Sequence, residues 1–505
     1  MSRINTNVQS LIARRALNIN NTALNRSLER LSTGLRINSG RDDPAGLIAS
    51  ETLRSSMRAI STAIDNANRA DTIIAVAEGG LQEVSSLLLE LESLVDQAAN
   101  EAGLTAAEVA ANQSQIDSIL ISINRLAEAT AFGDTKLLNG TFDFTTSGVN
   151  INEPTGATLD HLDNVRINSA KIANGAFRQI NISRLTASTQ ALASGVLGGT
   201  TTSSTTDRNG TLGKETTLNI RGIHGAALLS FASGTTAATI VAAINDRSAL
   251  TGVAASAFAG STGSGPASLS FSSTTFGTDA FVAVTVVNDP NAGTAVGNSI
   301  GVNTSKATGT NGTFTINGTS AIVQGLEASV QAGDLALNLT LSSAFGGGTS
   351  SETSTSFEIT GGGANFSISP TVGLSGLESV GIAEVSTTKL GDSVDGFISE
   401  LGSGLTNDLA SGNFTVAQRI VRSAISQVAS LRGRLGGFQK NTLVTTVNSL
   451  RVALENVTAA ESAIRDADFA VETSALTRAQ ILVSAGTSTL RLANAQPQNV
   501  LSLLS

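Results

Sequence analysis

The sequence predicts an α+β protein: a long antiparallel helical coiled-coil core formed by the N- and C-terminal segments, with a β-rich outer domain inserted between them. Three observations predict it. From Leu53, the apolar residues Met57, Ile60, Ile64, Ala67, Ile74, Ala77, Leu81, Val84, Leu88, Leu91 and Val95 recur in steps of mostly three and four, the seam of a long helix that packs on others. Near the other end, Ala417, Val421, Ala424, Val428, Leu431, Leu435 and Phe438 repeat that seam. Between them the texture changes to short alternating runs bounded by Gly, Ser, Thr and Asn, with Leu335, Leu337, Leu339 and Leu341 in strict alternation. Each helical stripe is too narrow to be stable alone, so the two ends of the chain are expected to pack together.

The elements follow in order. Ile4, Val8, Leu11, Leu17, Leu24, Leu28, Leu31 and Leu35 mark a first amphipathic helix, with a phase slip in its middle. Ser39-Gly40-Arg41-Asp42-Asp43-Pro44 breaks it, and Asp43 before Pro44 reads as an N-cap followed by a first-turn proline. The second helix then runs about fifty residues, or ~75 Å at 1.5 Å per residue. Gly79-Gly80 lies inside it as an expected soft spot. A third helix spans about Thr105 to Thr130, and Phe132-Gly133-Asp134 ends it. Beyond Leu138 strands take over, including Phe314 with Ile316 and Phe357 with Ile359, with one short helix at Ala237 to Asn245. Helical periodicity returns at Phe414 and runs to about Val457, and a last amphipathic segment is interrupted by Pro497.

At 505 residues and 41% hydrophobic content the chain has material for several domains. The absence of cysteine excludes disulfides, thiolate nucleophiles and cysteine metal sites. A net charge of −9 gives no general basis for nucleic-acid binding, and Arg3, Arg14, Arg15, Arg26, Arg30 and Arg36 read as the solvated face of a helix. No apolar stretch approaches the ~20 residues that cross a bilayer, so no membrane insertion is expected, and the N-terminus lacks the apolar core of a secretory signal. The two histidines, His161 and His224, stand far apart without HExxH, and Gly263-Ser264-Gly265 lacks the lysine of a phosphate loop and reads as a turn. Asp42 and Asp43 are too few ligands for a cation, and capping accounts for Asp43. Catalytic, cofactor and metal sites are therefore not expected.

Ser27-Leu28-Glu29-Arg30-Leu31-Ser32-Thr33-Gly34-Leu35-Arg36-Ile37-Asn38-Ser39, continuing through Asp42-Asp43-Pro44-Ala45-Gly46-Leu47, resembles bacterial flagellin, as does the opening Ile4-Asn5-Thr6-Asn7. Asp466-Ala467-Asp468-Phe469-Ala470, Gln480-Ile481-Leu482, Ala485-Gly486-Thr487 and Gln496-Pro497-Gln498-Asn499-Val500-Leu501-Ser502-Leu503-Leu504 are similar to the flagellin tail in order and spacing. Leu218 to Ala255 looks like a motif of flagellin outer domains, and Gly361 to Gly391 is more weakly similar to the segment where long flagellins re-enter their helical core.

The resemblance implies a homopolymeric subunit of the extracellular flagellar filament, not an enzyme, with no cofactor. It implies export in unfolded form by the flagellar type III apparatus without a cleaved signal peptide. Its expected partners are copies of itself, the filament cap and hook-associated proteins, and a dedicated export chaperone at the C-terminal helix. The expected division is 1–44 with 460–505 as inner core, 45–175 with 381–459 as helical rod with a small β-hairpin region, and 176–380 as surface domain. The expected polymer interface is Ile4, Val8, Leu11, Leu24, Leu28, Leu31, Leu35, Asp43, Pro44, Phe469, Leu476, Ile481, Leu482, Leu490, Val500, Leu501 and Leu504. Flagellins that activate Toll-like receptor 5 carry arginines and a glutamate on a face where this chain has Leu89, Glu90, Glu92, Ser93 and Gln115, so receptor activation is not expected to carry over. Two other readings remain open: a hook–filament junction protein, and a secreted β-rich adhesin on a helical stalk.

Overall fold

The computed structural model describes residues 6–100, 105–148, 161–172, 176–197, 212, 214–258, 268–287, 300–302, 306–392 and 395–502. Gly263-Ser264-Gly265, Ile4 and Leu504 lie outside the described residues. The chain forms two units, one from residues 1–68, 367–372 and 443–505, the other from 69–366 and 373–442.

In the first unit, helix α1 (Val8–Thr33) pairs with the C-terminal helix, and the long helix α2 (Pro44–Ala98) begins. Asp43 caps α2, its carboxylate accepting from the Gly46 N–H at 2.9 Å. A Cβ on Gly46 would meet Ile37 at 2.7 Å, so glycine is what lets the buried Ile37 seat against this turn. Ile60 and Ala63 of α2 form a small core with Leu450.

In the second unit, α2 carries a fully buried seam at Ala70, Ile74, Ala77, Leu81, Val84, Leu88, Leu91 and Val95. Helix α3 (Ala106–Ala129) buries Ile116, Ile119, Leu120 and Ile123, and a capping box of Thr105 and Glu108 opens it. The soft spot expected at Gly79-Gly80 is only half right. Nothing lies within 4 Å of a Cβ at Gly79, whereas one at Gly80 would strike the Thr130 hydroxyl at 2.6 Å, so Gly80 is a close-packing position. A window of α2 is also apolar enough by composition to cross a membrane, contrary to expectation, but its apolar seam is spent on the protein core.

The β-rich region holds two separate cores. One lies in a five-stranded antiparallel sheet (Thr319–Ser320, Thr313–Ile316, Arg178–Thr186, Ser354–Gly362, Phe144–Ser147) and a four-stranded one (Ile322–Gln324, Glu327–Ala332, Leu335–Leu341, Leu162–Ala170). Their shared core contains Phe314, Ile316, Phe357, Ile359 and all four alternating leucines of 335–341, as the period-two pattern predicts. The other lies in two four-stranded antiparallel sheets drawn from residues 190–308, covered by helix α4 (Ala237–Asn245), which has the bounds expected from sequence. Gln190–Leu197 and Ser268–Phe276 are central strands of one sheet, and Thr216–Arg221 and Phe281–Val286 of the other.

Helix α5 (Phe414–Gly437) returns the chain to the helical core with Ala417, Ile420, Val421, Ala424, Val428, Leu431 and Leu435 buried. It passes through a π-helical turn, Phe438–Leu443, into α6 (Val444–Arg465). The last helix, α7, spans Phe469–Ser502 and therefore continues through Pro497, where an interruption was expected. Proline cannot donate to the carbonyl four residues back, which is that of Ala493. That carbonyl instead accepts from the Asn7 side-chain amide at 2.8 Å, so the helix runs on without an orphaned acceptor there.

Candidate assembly interface

The described surface with the clearest functional geometry is the α1–α7 pair. Down one face of α1, Ser10, Ala13, Leu17, Asn20, Leu24, Ser27 and Leu31 recur in steps of three and four and are buried or half-buried. Down α7, Glu472, Leu476, Ala479, Val483, Gly486, Leu490 and Ala493 do the same. The two seams mesh antiparallel. Ser10 donates to Asn494 at 2.7 Å near one end, and Arg30 faces Glu472 at 3.7 Å near the other. Small residues let the helices close up, since a Cβ on Gly486 would meet Leu17 at 3.3 Å.

At 100° per residue, Val8, Leu11, Ile12 and Ile19 fall on the face of α1 turned from α7, Ile481 and Leu492 on the opposite face of α7, and Val471 and Leu482 on its flanks. All eight are exposed, Ile481 at 63%. The phase slip in the first helix is now explained: Val8 and Leu11 belong to the outer stripe, Leu17, Leu24 and Leu31 to the inner one.

The expected interface residues divide accordingly. Val8, Leu11, Leu28, Pro44, Phe469, Ile481 and Leu482 are exposed. Leu24, Leu31, Leu35, Asp43, Leu476 and Leu490 are half-buried, as their places on the inner seams or in the turn that opens α2 require. Val500 and Leu501 continue α7, and Leu504 and Ile4 lie beyond the described residues.

The junctions at the base of this pair account for the motif residues. Gly34 closes α1 in the left-handed conformation (φ 72°), its N–H bonded to the Arg30 carbonyl. Its own carbonyl accepts from the Ala467 N–H at 2.9 Å, and the Arg36 N–H donates to the Arg465 carbonyl at 2.7 Å. The Arg36 guanidinium adds two bonds to the Ile464 carbonyl. Asp466 accepts from the Ser462 hydroxyl at 2.6 Å, and Asp468 caps α7 through the Ala470 and Val471 N–H groups. Asp42 accepts from both the hydroxyl and the N–H of Ser39, which hold its carboxyl below the usual range. Sequence reasoning missed the paired roles of Asn7 and Arg36, because each acts on a backbone carbonyl more than 400 positions away. Asn7 did carry a local sign, being an N-cap that accepts from the Ser10 N–H.

On the expected receptor face, Leu89, Glu90, Ser93 and Gln115 are exposed. Glu92 is engaged: its carboxylate lies 2.8 Å from the Arg422 Nε of α5. Of the histidines, His161 is buried, edge-on to Phe345 and 3.1 Å from the exposed Glu352, and His224 is held below its ordinary pKa by burial and by Arg419. Among the described residues no group of three or more acidic or histidine side chains could hold a metal ion.

Comparison with known proteins bears directly on this surface. Residues 4–143 match the family profile of the bacterial flagellin N-terminal helical region, and residues 419–504 that of the C-terminal helical region. The B-type flagellin of Pseudomonas aeruginosa is 30% identical over an alignment covering 99% of each chain. The chain belongs to the bacterial flagellins. Flagellins are structural subunits of the extracellular flagellar filament, not enzymes. Residues 217–275 of this flagellin match the flagellin hook IN motif, in the region read from sequence as an outer-domain motif. Flagellin E of Vibrio cholerae is 46% identical over 139 residues, a match spanning 28% of this flagellin and 36% of that protein. Among solved structures, FliC from Burkholderia pseudomallei is similar over 73% of this flagellin and 98% of its own chain, at 14% identity and a TM-score of 0.23, too low to define a shared arrangement.

Proposed function

We propose that this flagellin enters the filament through the outer stripes of its α1–α7 pair, packed against the corresponding helices of neighbouring copies. The observation that carries the reading is the division of faces: the inner seams are satisfied within the pair, while eight large apolar side chains on the outer faces and flanks are exposed. Burying each contributes about 1.5–3 kcal/mol. A head-to-tail contact of this kind that does not close into a ring produces a helical polymer. In this reading 1–44 and 460–505 form the inner layer, 45–175 and 381–459 the rod around it, and 176–380 the displayed surface. Export through the type III apparatus without a cleaved signal, a chaperone covering the apolar stripe of α7, and contacts with cap and hook-associated proteins complete it.

Limited proteolysis tests the interface. Purified monomer is expected to lose both termini rapidly, and polymerised protein to keep them. Equal cleavage in the two states would place the terminal helices outside the contact.

Receptor recognition is a second expected outcome. Glu90 is exposed and in no ion pair among the described residues, at a place where activating relatives present arginine, whereas Glu92 is already paired with Arg422. Depolymerised protein is expected to stimulate Toll-like receptor 5 reporter cells poorly. Glu90→Arg should recover part of the response, since Leu89, Ser93 and Gln115 also differ. Full stimulation by the unmodified monomer would assign recognition to other positions.

A further inference from the structure

A cavity of about 390 Å³ lies within the second unit, where the strand Leu162–Ala170, the segment 383–390 and α5 come together. Arg166 of the strand and Arg434 of α5 both line it. Each is half-buried, and neither guanidinium is in an ion pair among the described residues. Arg434 donates one Nη2 bond, to the Gly381 carbonyl at 3.1 Å, and its buried Nε has no protein partner. The nearest influential acid is Asp143, but its carboxylate is turned to the Phe144 and Glu384 N–H groups. Asp392 and Glu327 also act electrostatically on Arg166, so two half-buried cations share a cavity wall with acids around them but, among the described residues, no carboxylate bonded to either guanidinium.

We propose that this cavity binds a small oxyanion of the phosphate or sulfate class, held between Arg166 and Arg434. The planar guanidinium fork matches tetrahedral oxyanions, and two forks from different elements supply donors from two directions. At about 30 Å³ per water molecule, the volume accommodates such an anion with accompanying waters. Burial lowers the Arg434 pKa to about 10 and raises that of Asp143, and the charges of the two groups offset part of each shift. Asp143, Asp163 and Glu384 also line the cavity, with Lys389 as a third cation. The acids limit the affinity, which is expected on the order of millimolar. An anion here would tie the strand to α5 and so fasten the β-rich region to the helical core.

The test is a titration of the full-length monomer with inorganic phosphate, read by phosphorus NMR line broadening against chloride at matched ionic strength. Saturable broadening is expected, weakened about tenfold or more in Arg166→Met and in Arg434→Met, and unchanged in Arg422→Met, whose guanidinium is exposed. Circular dichroism confirms that each variant is folded, and either cavity variant alone suffices if the other is not. Absence of saturable binding, or equal binding by a folded cavity variant and the unmodified chain, overturns the proposal. Equal loss in Arg422→Met also overturns it, by showing attraction to the general surface.

Discussion

Ile481→Asp is expected to abolish filament growth while leaving the monomer folded. Ile481 is 63% exposed and lies on the face of α7 turned away from α1, so in the monomer its aspartate meets water and costs within about 0.5 kcal/mol. In the polymer the same carboxylate is buried without a partner, at a cost of several kcal/mol. Since each 1.4 kcal/mol is a factor of ten in an association constant, a loss of about 3 kcal/mol raises the concentration needed for assembly more than a hundredfold. Leu31→Asp provides the contrast. Leu31 is half-buried on the inner seam, so its substitution should loosen the α1–α7 pair before any neighbour is involved. Sedimentation of polymer, with circular dichroism of the monomer as control, distinguishes the two. Filaments of Ile481→Asp forming at the unmodified protein's concentration would remove α7's outer face from the interface.

Excision of residues 190–309, with Thr189 joined to Thr310 through two glycines, is expected to yield a chain that folds and still polymerises. Thr189 and Thr310 are already bridged, the Thr189 N–H donating to the Thr310 carbonyl at 2.9 Å and their hydroxyls 2.8 Å apart. The excised module also has its own core, built around Leu218, Ile220, Ile240, Ile244, Phe271 and Val282. Its polar ties to the rest include Arg419 to the Ala249 carbonyl at 3.3 Å and Gln324 to Asp279 at 2.6 Å. A wider cut from Lys171 to Leu390 should behave differently. It removes Leu335–Leu341 from beside Leu162–Ala170 and Ser354–Gly362 from beside Phe144–Ser147, leaving open strand edges that invite aggregation. Electron microscopy of both chains after seeded assembly tests the difference. A narrow excision that is soluble yet forms no filaments would show that residues 190–309 contribute to the lattice.

These outcomes reflect what was and was not legible in the sequence. The long seams of α2 and α5 could be read residue by residue because a buried stripe repeating every 3.5 residues has no other use. Capping chemistry gave Asp43 for a similar reason: the signal and the structure it makes are neighbours in the chain. The alternating leucines of 335–341 located a strand, but not that Glu327–Ala332 and Leu162–Ala170 flank it, because pairing over such separations leaves no local pattern. The division of the β-rich region into two cores was hidden in the same way. On α1 two stripes overlap in one helix, and a single-period reading registered their sum as a slip. Gly80 looked like weakness because its reason, Thr130, stands fifty positions away.

The π-helical turn at Phe438–Leu443 has a consequence for how this rod tolerates change in chain length. Before it, the buried seam runs Ala417, Val421, Ala424, Val428, Leu431 and Leu435, with Ile420 beside it; it resumes at the turn's last residue, Leu443, and continues through Val447 and Leu450. Continued steps of three and four would have put the next buried positions at 438 and 442, so the apolar phase arrives one residue late. In an unbroken α-helix that surplus residue would rotate everything downstream by 100° and turn the wrong stripe inward. The wide turn absorbs it on the spot, in the manner of a leap day in a calendar. A single-residue insertion in a packed rod is thereby confined to six positions, and the heptad count on either side continues as though it had not occurred.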